Sequence, residues 1–210
     1  MTRDASAATA SMHGDAIVET VVKLGGGVLA HAEHFDAVLT TIATASRERR
    51  LLVVPGGGPF ADAVREADRK LGLGDDAAHW MAVLAMDQYA HLVASRLDGG
   101  VLVAEPREID AAFGAGSVGR VPVLAPYRWL RETDPLPHEW IVTSDSIAAW
   151  VAGRVGARRL VLVKPPGAAG DEVVDAYFSR ALPAHVRPVI VPADRLNELH
   201  STLRAGTGHA

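Results

Sequence analysis

The sequence is 210 residues long, with 49% hydrophobic and 22% charged residues, proportions that are typical of a compact globular protein and exclude disorder over the whole chain. Its 21 Lys and Arg against 25 Asp and Glu give a formal charge of −4, which argues against a nucleic-acid scaffold and against electrostatic docking on anionic membranes. The absence of cysteine excludes disulfides, Cys-based zinc sites, iron–sulfur clusters and thiol nucleophiles.

No part of the sequence predicts export or membrane insertion. No segment approaches the roughly 18–20 uninterrupted apolar residues that a membrane span needs. Residues 1–15 are rich in Ala, Ser and Thr and lack the apolar region of a signal peptide, so we interpret them as a disordered leader. A cytoplasmic location is the expectation that follows.

From residue 16 onward, short apolar runs alternate with stretches of helical periodicity. Three continuous apolar runs are typical of strands buried on both faces of a parallel sheet: residues 17–22, 51–54 and 160–163. Weaker strands are predicted at 101–103, 121–124 and 189–191, and helices at 34–49, 60–70, 75–97, 146–155, 171–181 and 195–203. Pro122 places its strand at a sheet edge or at a strand start. This order predicts an α/β fold, a three-layer αβα sandwich with a mostly parallel central sheet, as one continuous domain over 16–210.

Four segments place unusual residues at one edge of the predicted sheet, the carboxyl ends of its strands, where open parallel sheets bind ligands. They are residues 23–27 (KLGGG), 55–58 (PGGG), 143–145 (TSD) and 164–167 (KPPG). Glycine lets backbone N–H groups approach an anion, and each following helix N-terminus adds a partial positive charge. One glycine triplet alone is more often a tight turn, but two of them favour two anionic ligands held face to face.

The charged residues of these segments have more than one interpretation. Lys23 and Lys164 each end a strand where an apolar residue is expected, so each either extends to solvent or meets an anion. Beside a transferring phosphoryl group, both ammonium groups would neutralise its oxygens. Asp145 either caps its helix, orients the two lysines or holds Mg²⁺, and the sequence leaves these alternatives open.

Three segments carry a family resemblance: VVKLGGG over 21–27, VVPGGG over 53–58 and TSDSIAA over 143–149. In this order they resemble the successive signatures of the amino acid kinase superfamily, which includes acetylglutamate, glutamate, uridylate, carbamate and isopentenyl phosphate kinases. The stretches at 59–65, 79–82 and 86–89 are most similar to one branch, the aminomethylfuran-methyl-phosphate kinases of methanofuran biosynthesis. The resemblance runs from about Val21 to Leu162.

The resemblance implies a small-molecule kinase that uses ATP and Mg²⁺ and assembles as a homodimer or a higher homo-oligomer. Its acceptor would be a phosphomonoester or a carboxylate, and the branch implies a furan phosphate of methanofuran-type cofactor biosynthesis in one-carbon metabolism. Transfer would rely on positioning and charge neutralisation, without a covalent enzyme intermediate. We assign no residue as a metal ligand and expect neither a nucleic-acid partner nor a membrane.

The same resemblance implies a role for each motif. The catalytic residues would be Lys23, Asp145 and Lys164, with the carboxylate organising the two ammonium groups. The nucleotide would be bound by Gly25, Gly26, Gly27, Thr143 and Ser144. The acceptor would be bound by Gly56, Gly57, Gly58, Arg65 and His79, with the arginine on its anionic group.

Departures from the family pattern concern the nucleotide side. Gly27 stands where many members have Ser or Thr, and VLVKPPG over 161–167 replaces a strand that usually ends in Thr-Asp-Val-Asp-Gly. The chain after Lys164 is short, so we predict an acceptor-binding half over about 16–135 and a shortened nucleotide-binding half over about 136–210. The alternative function is therefore a non-catalytic ligand-binding or regulatory subunit that keeps the fold with a reduced nucleotide site.

Overall fold

One six-stranded sheet organises the protein. The computed structural model describes residues 18–114, 119–168 and 174–206. The strands are β1 (Thr20–Leu24), β2 (Leu51–Pro55), β3 (Gly100–Val103), β4 (Val121–Leu124), β5 (Arg159–Lys164) and β6 (Arg187–Pro192). All neighbouring pairs are parallel, in the spatial order β3-β4-β2-β1-β5-β6. The predicted α/β fold with a parallel central sheet is confirmed.

Helices cover both faces of this sheet, which makes three layers. Those of the described residues are α1 (Ala32–Ser46), α2 (Gly58–Leu71), α3 (Asp75–Arg96), α4 (Pro106–Ala112), α5 (Tyr127–Thr133), α6 (Ser144–Arg154), α7 (Phe178–Ala181) and α8 (Leu196–Arg204). A short 3₁₀ helix, Gly26–Ala30, precedes α1. The helices α1 and α8 pack on one face and α4 to α7 on the other, while α3 contributes to both apolar cores and α2 packs along α3.

The alternation of side chains along the central strands brings both strand-end lysines to the same face. In β1, Val22 belongs to the core shared with α1 and α8, whereas Val21 belongs to the core under α6. The period of two therefore turns Lys23 toward α6. In β5, Lys164 follows Leu162 of that same core by two residues. Because β1 and β5 are neighbours, both lysines reach one corner at the carboxyl end of the sheet.

The strand that contains Pro122 lies inside the sheet, so the edge position considered for it is wrong. The proline is the second residue of β4, as its other interpretation requires. The amide of Val121 donates to Gly99, just before β3, and that of Ala125 to the last residue of β3. The proline nitrogen therefore faces β2, whose pairing with β4 begins at Val123. A missing N–H costs no ladder hydrogen bond at that point. The helices α4 and α5 were not predicted, and each has only seven residues.

Some predictions fall partly or wholly outside the described residues. The leader over 1–15 does so entirely, and of the helix predicted at 171–181 the described part contains only α7. The division into an acceptor-binding and a nucleotide-binding half stays a prediction. Among the described residues, no helix is both long enough and apolar enough to cross a membrane.

Candidate functional site

Three buried charged side chains meet at the carboxyl end of β1 and β5. Nζ of Lys23 lies 2.8 Å from Oδ1 of Asp145, and Nζ of Lys164 lies 2.6 Å from Oδ2 of the same carboxylate. The exposed fractions of the three residues are 4%, 7% and 4% for Lys23, Lys164 and Asp145. The chain has only three lysines, and two of them are buried at this point. The structure thus brings the three predicted catalytic residues together, and their catalytic role stays a prediction.

The first turn of α6 presents the carboxylate of this cluster. Thr143 is the N-cap of α6, and its hydroxyl accepts a hydrogen bond from the backbone N of Asp145 at 3.4 Å. The positive end of the helix dipole favours a carboxylate in this turn. Both oxygens of Asp145 nevertheless bind lysine ammonium groups. Of the three alternatives that the sequence left open, this contact agrees with the one in which Asp145 orients the two lysines.

Burial disfavours the charged forms of Asp145 and Lys164, and the contacts between opposite charges counteract it. Burial would raise the pKa of the Asp145 carboxyl, but Lys23 and Lys164 hold it below its ordinary value. Burial and the nearby Lys23 lower the pKa of Lys164, although Asp145 opposes this shift. Two positive charges and one negative charge leave the cluster with a net charge of +1. An anion placed beside it would therefore be stabilised.

The two glycine triplets touch each other beside this cluster. A Cβ on Gly26 would overlap the backbone N and Cα of Gly58, so only glycine allows the two loops to approach this closely. Gly58 also has a φ of +53°, in the left-handed region. The amides of both glycines begin helical segments, where N–H groups have no partner within the helix. They are therefore among the donors that the loops can offer to an anion.

The other glycines of the triplets have structural explanations. The amide of Gly25 donates to a carbonyl of β5 and that of Gly56 to a carbonyl of β1, both at 2.8 Å, so these two amides continue the pairing of the strands. A Cβ on Gly27 would lie 2.8 Å from Cγ of Pro165. The proline ring thus fills the volume that a Ser or Thr side chain would need. The two departures from the family pattern, at Gly27 and in the segment after β5, compensate each other.

An open pocket lies next to the second glycine loop. Apolar side chains of α2, α3 and α6 form much of its wall, as is usual where proteins bind small organic molecules. Five residues predicted for the site line it together: Gly57, Arg65, His79, Thr143 and Ser144. The structure therefore joins three of the five predicted acceptor residues to the N-terminus of α6 in one cavity, and the other two, Gly56 and Gly58, do not line it.

Two aromatic residues of this cavity, His138 and Trp140, were not predicted. Both come from the irregular segment between α5 and α6, which has no helix or strand periodicity to place them. The indole N–H of Trp140 donates to Asp68 at 2.7 Å. The guanidinium carbon of Arg65 lies 5.2 Å from the indole ring centre, while its Nη1 donates to Asp62 at 2.8 Å. These contacts hold the arginine at the mouth of the cavity.

The imidazole rings of His79 and His138 stack at one end of the cavity, with centroids 4.1 Å apart and an interplanar angle of 16°. Nδ1 of His138 lies 2.5 Å from Oδ1 of Asp76, and Nε2 lies 2.8 Å from Oδ1 of Asp134. Burial opposes the charge of His138, but these two carboxylates raise its pKa above the ordinary value. Burial and then the charge of His138 lower the pKa of His79 to about 4.

A second carboxylate, that of Asp175, occupies the N-terminus of α6. It accepts hydrogen bonds from the backbone N of Thr143 at 2.9 Å and of Ser146 at 3.0 Å. The hydroxyl groups of the same two residues donate to it at 2.7 and 2.5 Å. Nothing in the local sequence pattern predicted this contact, because it joins residues about thirty positions apart. It engages the Thr143 groups that were predicted to bind the nucleotide.

The described part of the chain offers no cluster of metal ligands at this site. Over residues 18–114, 119–168 and 174–206, no group of three or more His, Cys, Asp or Glu side chains is placed to hold a metal ion. Both oxygens of Asp145 are engaged by ammonium groups. These residues fit an anion better than a metal ion, and Mg²⁺ is commonly held through the phosphates of a nucleotide with its own waters.

Comparison with known protein sequences agrees with this geometry. The model of the amino acid kinase family matches residues 19–165. The chain is 26% identical over 145 residues to the [5-(aminomethyl)furan-3-yl]methyl phosphate kinase of Methanocaldococcus jannaschii, which is 68% of this chain and 63% of that protein. The chain thus matches less than two thirds of the length of this curated relative.

Two solved structures share the fold. The uridylate kinase of Archaeoglobus fulgidus superimposes with a TM-score of 0.65 and 15% identity, over 90% of this chain and 97% of the other. The UMP kinase of Ureaplasma parvum gives a TM-score of 0.64 and 14% identity, over 90% and 96%. At these identities the likeness concerns the fold alone. The resemblance drawn from the sequence motifs is confirmed, and all three of these relatives are named as kinases.

Proposed function

This chain belongs to the amino acid kinase family, and we propose that it is an ATP-dependent phosphotransferase that acts on a small organic acceptor. The observation that carries this proposal is the buried cluster of Lys23, Asp145 and Lys164 beside the two glycine loops. Apolar residues in place of buried ion pairs are often neutral or stabilising, so stability alone does not account for such a cluster. A role in stabilising a transferring phosphoryl group would account for the cluster.

The proposed transfer depends on charge and position. An oxygen of the acceptor attacks the terminal phosphorus of ATP and forms a new P–O bond, while the bond from that phosphorus to the bridging oxygen breaks and ADP leaves with its electron pair. The ammonium groups of Lys23 and Lys164 would stabilise the negative charge of this step, and Asp145 would hold both in place. A phosphomonoester acceptor is largely ionised near neutral pH, so it needs no strong general base.

We infer that the nucleotide phosphates lie beside the cationic cluster. The residues proposed to hold them are Lys23, Lys164, Gly26 and Gly27, with Gly25, Thr143 and Ser144 shaping the surrounding backbone. Mg²⁺ bound to the nucleotide would neutralise further phosphate charge and orient the oxygens.

For the acceptor, we propose a phosphomonoester with a small, partly apolar body. The relative from Methanocaldococcus jannaschii is named for the phosphate ester of an aminomethylfuran. The apolar wall of the cavity suits a ring of that size, and the carboxylates of Asp75 and Glu139, which line the cavity, suit an ammonium group. Arg65, His79 and Gly57 would complete the contacts. With this acceptor the chain would act in methanofuran-type cofactor biosynthesis.

The proposal is tested by ADP release from ATP and Mg²⁺ with three acceptors: [5-(aminomethyl)furan-3-yl]methyl phosphate, UMP and N-acetylglutamate. We expect release that depends on the furan phosphate, and ³¹P NMR should then show the coupled resonances of a diphosphate. Lys23→Ala should abolish both this release and the stabilisation by ATP in a thermal-shift assay. ADP release that is unaffected by Lys23→Ala would refute the proposal.

One observation favours a second candidate function, a non-catalytic ligand-binding or regulatory subunit. Asp175 already binds the amides at the N-terminus of α6, where a phosphate would otherwise be expected. Isothermal titration separates the two functions. Binding of the furan phosphate without any binding of ATP in the presence of Mg²⁺ would support the subunit and exclude the kinase.

We further propose a homodimer or a higher homo-oligomer. Met81 and Leu84 lie three residues apart on α3 and are exposed at 39% and 40%, which makes an apolar strip on the helix surface. Light scattering should give a mass above that of one chain, and Leu84→Glu should reduce it. A monomeric wild type would contradict this proposal. It would not affect the proposed transfer activity, which the ADP-release assay tests.

A further inference from the structure

The proposed transfer chemistry does not explain why the imidazole rings of His79 and His138 stack in the cavity. We propose that His138 is a positioning residue that holds His79, as an uncharged ring, against the acceptor. This inference rests on the proposed function, because it assigns a role within the same cavity.

The contacts of His138 define its state. Each of its two ring nitrogens faces a carboxylate oxygen, Nδ1 that of Asp76 and Nε2 that of Asp134. A carboxylate accepts hydrogen bonds and does not donate them, so both nitrogens carry a proton and the ring is an imidazolium. The side chain is mostly buried, whereas Asp76 is largely exposed. The cation is therefore fixed between two elements, the start of α3 and the end of α5.

The backbone at Asp134 supports this assignment. Its φ of +40° is left-handed, and among the described residues no other residue except glycine has a positive φ. Such a conformation costs free energy that surrounding contacts must offset. Asp134 ends α5 in this conformation, and its side chain reaches His138 four residues later. The strained turn thus directs the carboxylate toward the imidazolium.

Two neighbouring rings contact the imidazole of His79 and fix its position. His138 covers one face of its ring at 4.1 Å, and the indole of Trp80 meets it edge-on at 4.7 Å and 87°. Arg131 in turn lies 4.5 Å from the centre of the Trp80 ring. The ring of His79 is therefore held between aromatic neighbours while it lines the cavity.

The charge of His138 also contributes to the protonation state of His79. Burial is the largest cause that lowers the pKa of His79, to about 4, and the cation stacked on its ring acts in the same direction by disfavouring a second positive charge. The other charged groups around this end of the cavity are Asp76 and Asp134, which oppose the shift, and Arg65, Asp75 and Glu139, which line the cavity. Near neutral pH, His79 has one N–H donor and one free acceptor nitrogen. It can hydrogen-bond an acceptor without adding charge.

The experiment compares wild type with His138→Gln, which removes the cation but keeps polar contacts to the carboxylates, and with His185→Gln, an exposed control on another part of the chain. The first readout needs no substrate: NMR titration of the His79 ring. In wild type and in His185→Gln we expect the His79 pKa well below 6.5, and in His138→Gln a clear rise toward that ordinary value. An unchanged His79 titration in His138→Gln would overturn the proposal.

The second readout is kinetic. The ratio of acceptor KM in His138→Gln to that in wild type should change by about threefold between pH 7.5 and pH 5.5, because His79 gains a proton in that range only in the variant, with a smaller change in kcat. A merely structural role would raise the ratio equally at both pH values, and that result would also overturn the proposal. A wild type that releases no ADP would refute the proposed kinase while leaving the NMR result decisive for the positioning.

A second variant covers the case in which His138→Gln fails to fold. Asn tolerates a left-handed backbone, so Asp134→Asn keeps the turn and removes only the charge that faces Nε2 of His138. The pKa of His138 should then fall in the NMR titration. If the titration of His138 were the same as in wild type, the ion-paired imidazolium would be refuted.

Discussion

Asp145 binds Lys164 at 2.6 Å, although the two residues are 19 positions apart and belong to different elements, the first turn of α6 and the end of β5. The same carboxylate binds Lys23 through its other oxygen. One buried anion therefore sets the distance between two cations on neighbouring strands. A catalyst that must place two positive charges around a phosphoryl group needs such a fixed spacing before the substrate arrives.

Lys23→Met should lower kcat for the transfer by about 10²–10³-fold, the usual loss when one preorganised charge donor is removed. The variant keeps the pair between Asp145 and Lys164, so it should still fold, which circular dichroism can check. Lys70→Met is the matched control because Lys70 is the remaining lysine of the chain and is exposed on α2. Equal kcat values for the two variants would contradict a catalytic role for Lys23.

Lys164→Arg should change the alkaline side of the pH–rate profile. The pKa of Lys164 is lowered from 10.5 by burial and by Lys23, so its ammonium loses its proton at a lower pH than an ordinary lysine. If transfer needs that charge, kcat falls as pH rises through the lowered pKa. Arginine stays protonated in this range, so the variant should have a lower kcat but no such decline. The same decline in both proteins would assign the titration to another group.

The sequence alone placed the two lysines of the cluster at one edge of the sheet because each ends a strand, whereas the role of Asp145 was left open. Lys23 and Lys164 interrupt apolar runs, and parallel strands bring such positions to one edge of the sheet. The period of two then turns both side chains toward the same face. The alternation of side chains along a strand and the shared edge of parallel strands are therefore enough to predict where both lysines lie.

The end of the cavity formed by His138 and Trp140 could not be predicted in the same way. His138 and Trp140 belong to a segment between helices that has no periodicity, and their partners Asp76 and Asp68 are 62 and 72 positions away. The cap by Asp175 depends on a similar long-range contact. Side-chain directions in loops depend on the packing of the whole chain, so only the structure could bring these residues to the site.

Gly26→Ser should destabilise the protein by about 1–3 kcal/mol and lower transfer activity, because its Cβ would overlap the backbone of Gly58 and push the two loops apart. The atoms that the new Cβ would overlap are backbone atoms of Gly58, which cannot move aside as easily as the end of a flexible side chain. Gly74→Ser is the control: no atom lies within 4 Å of a Cβ there, and Ser is a favourable N-cap for α3. Urea unfolding of both variants measures the difference. Equal stability would mean that the two loops are not in contact.

Asp175→Ala should lower the free energy of unfolding by about 1–2 kcal/mol, since it removes the hydrogen-bond acceptor of two backbone amides at the start of α6. Asp98→Ala, at a largely exposed carboxylate, should have little effect. Urea unfolding provides the measurement, and the two variants should differ in midpoint but not in slope. Asp175→Ala should also lower kcat, because the turn that Asp175 fixes presents Asp145 to both lysines. If Asp175→Ala kept full stability and an unchanged kcat, the position of Asp145 would not depend on this cap.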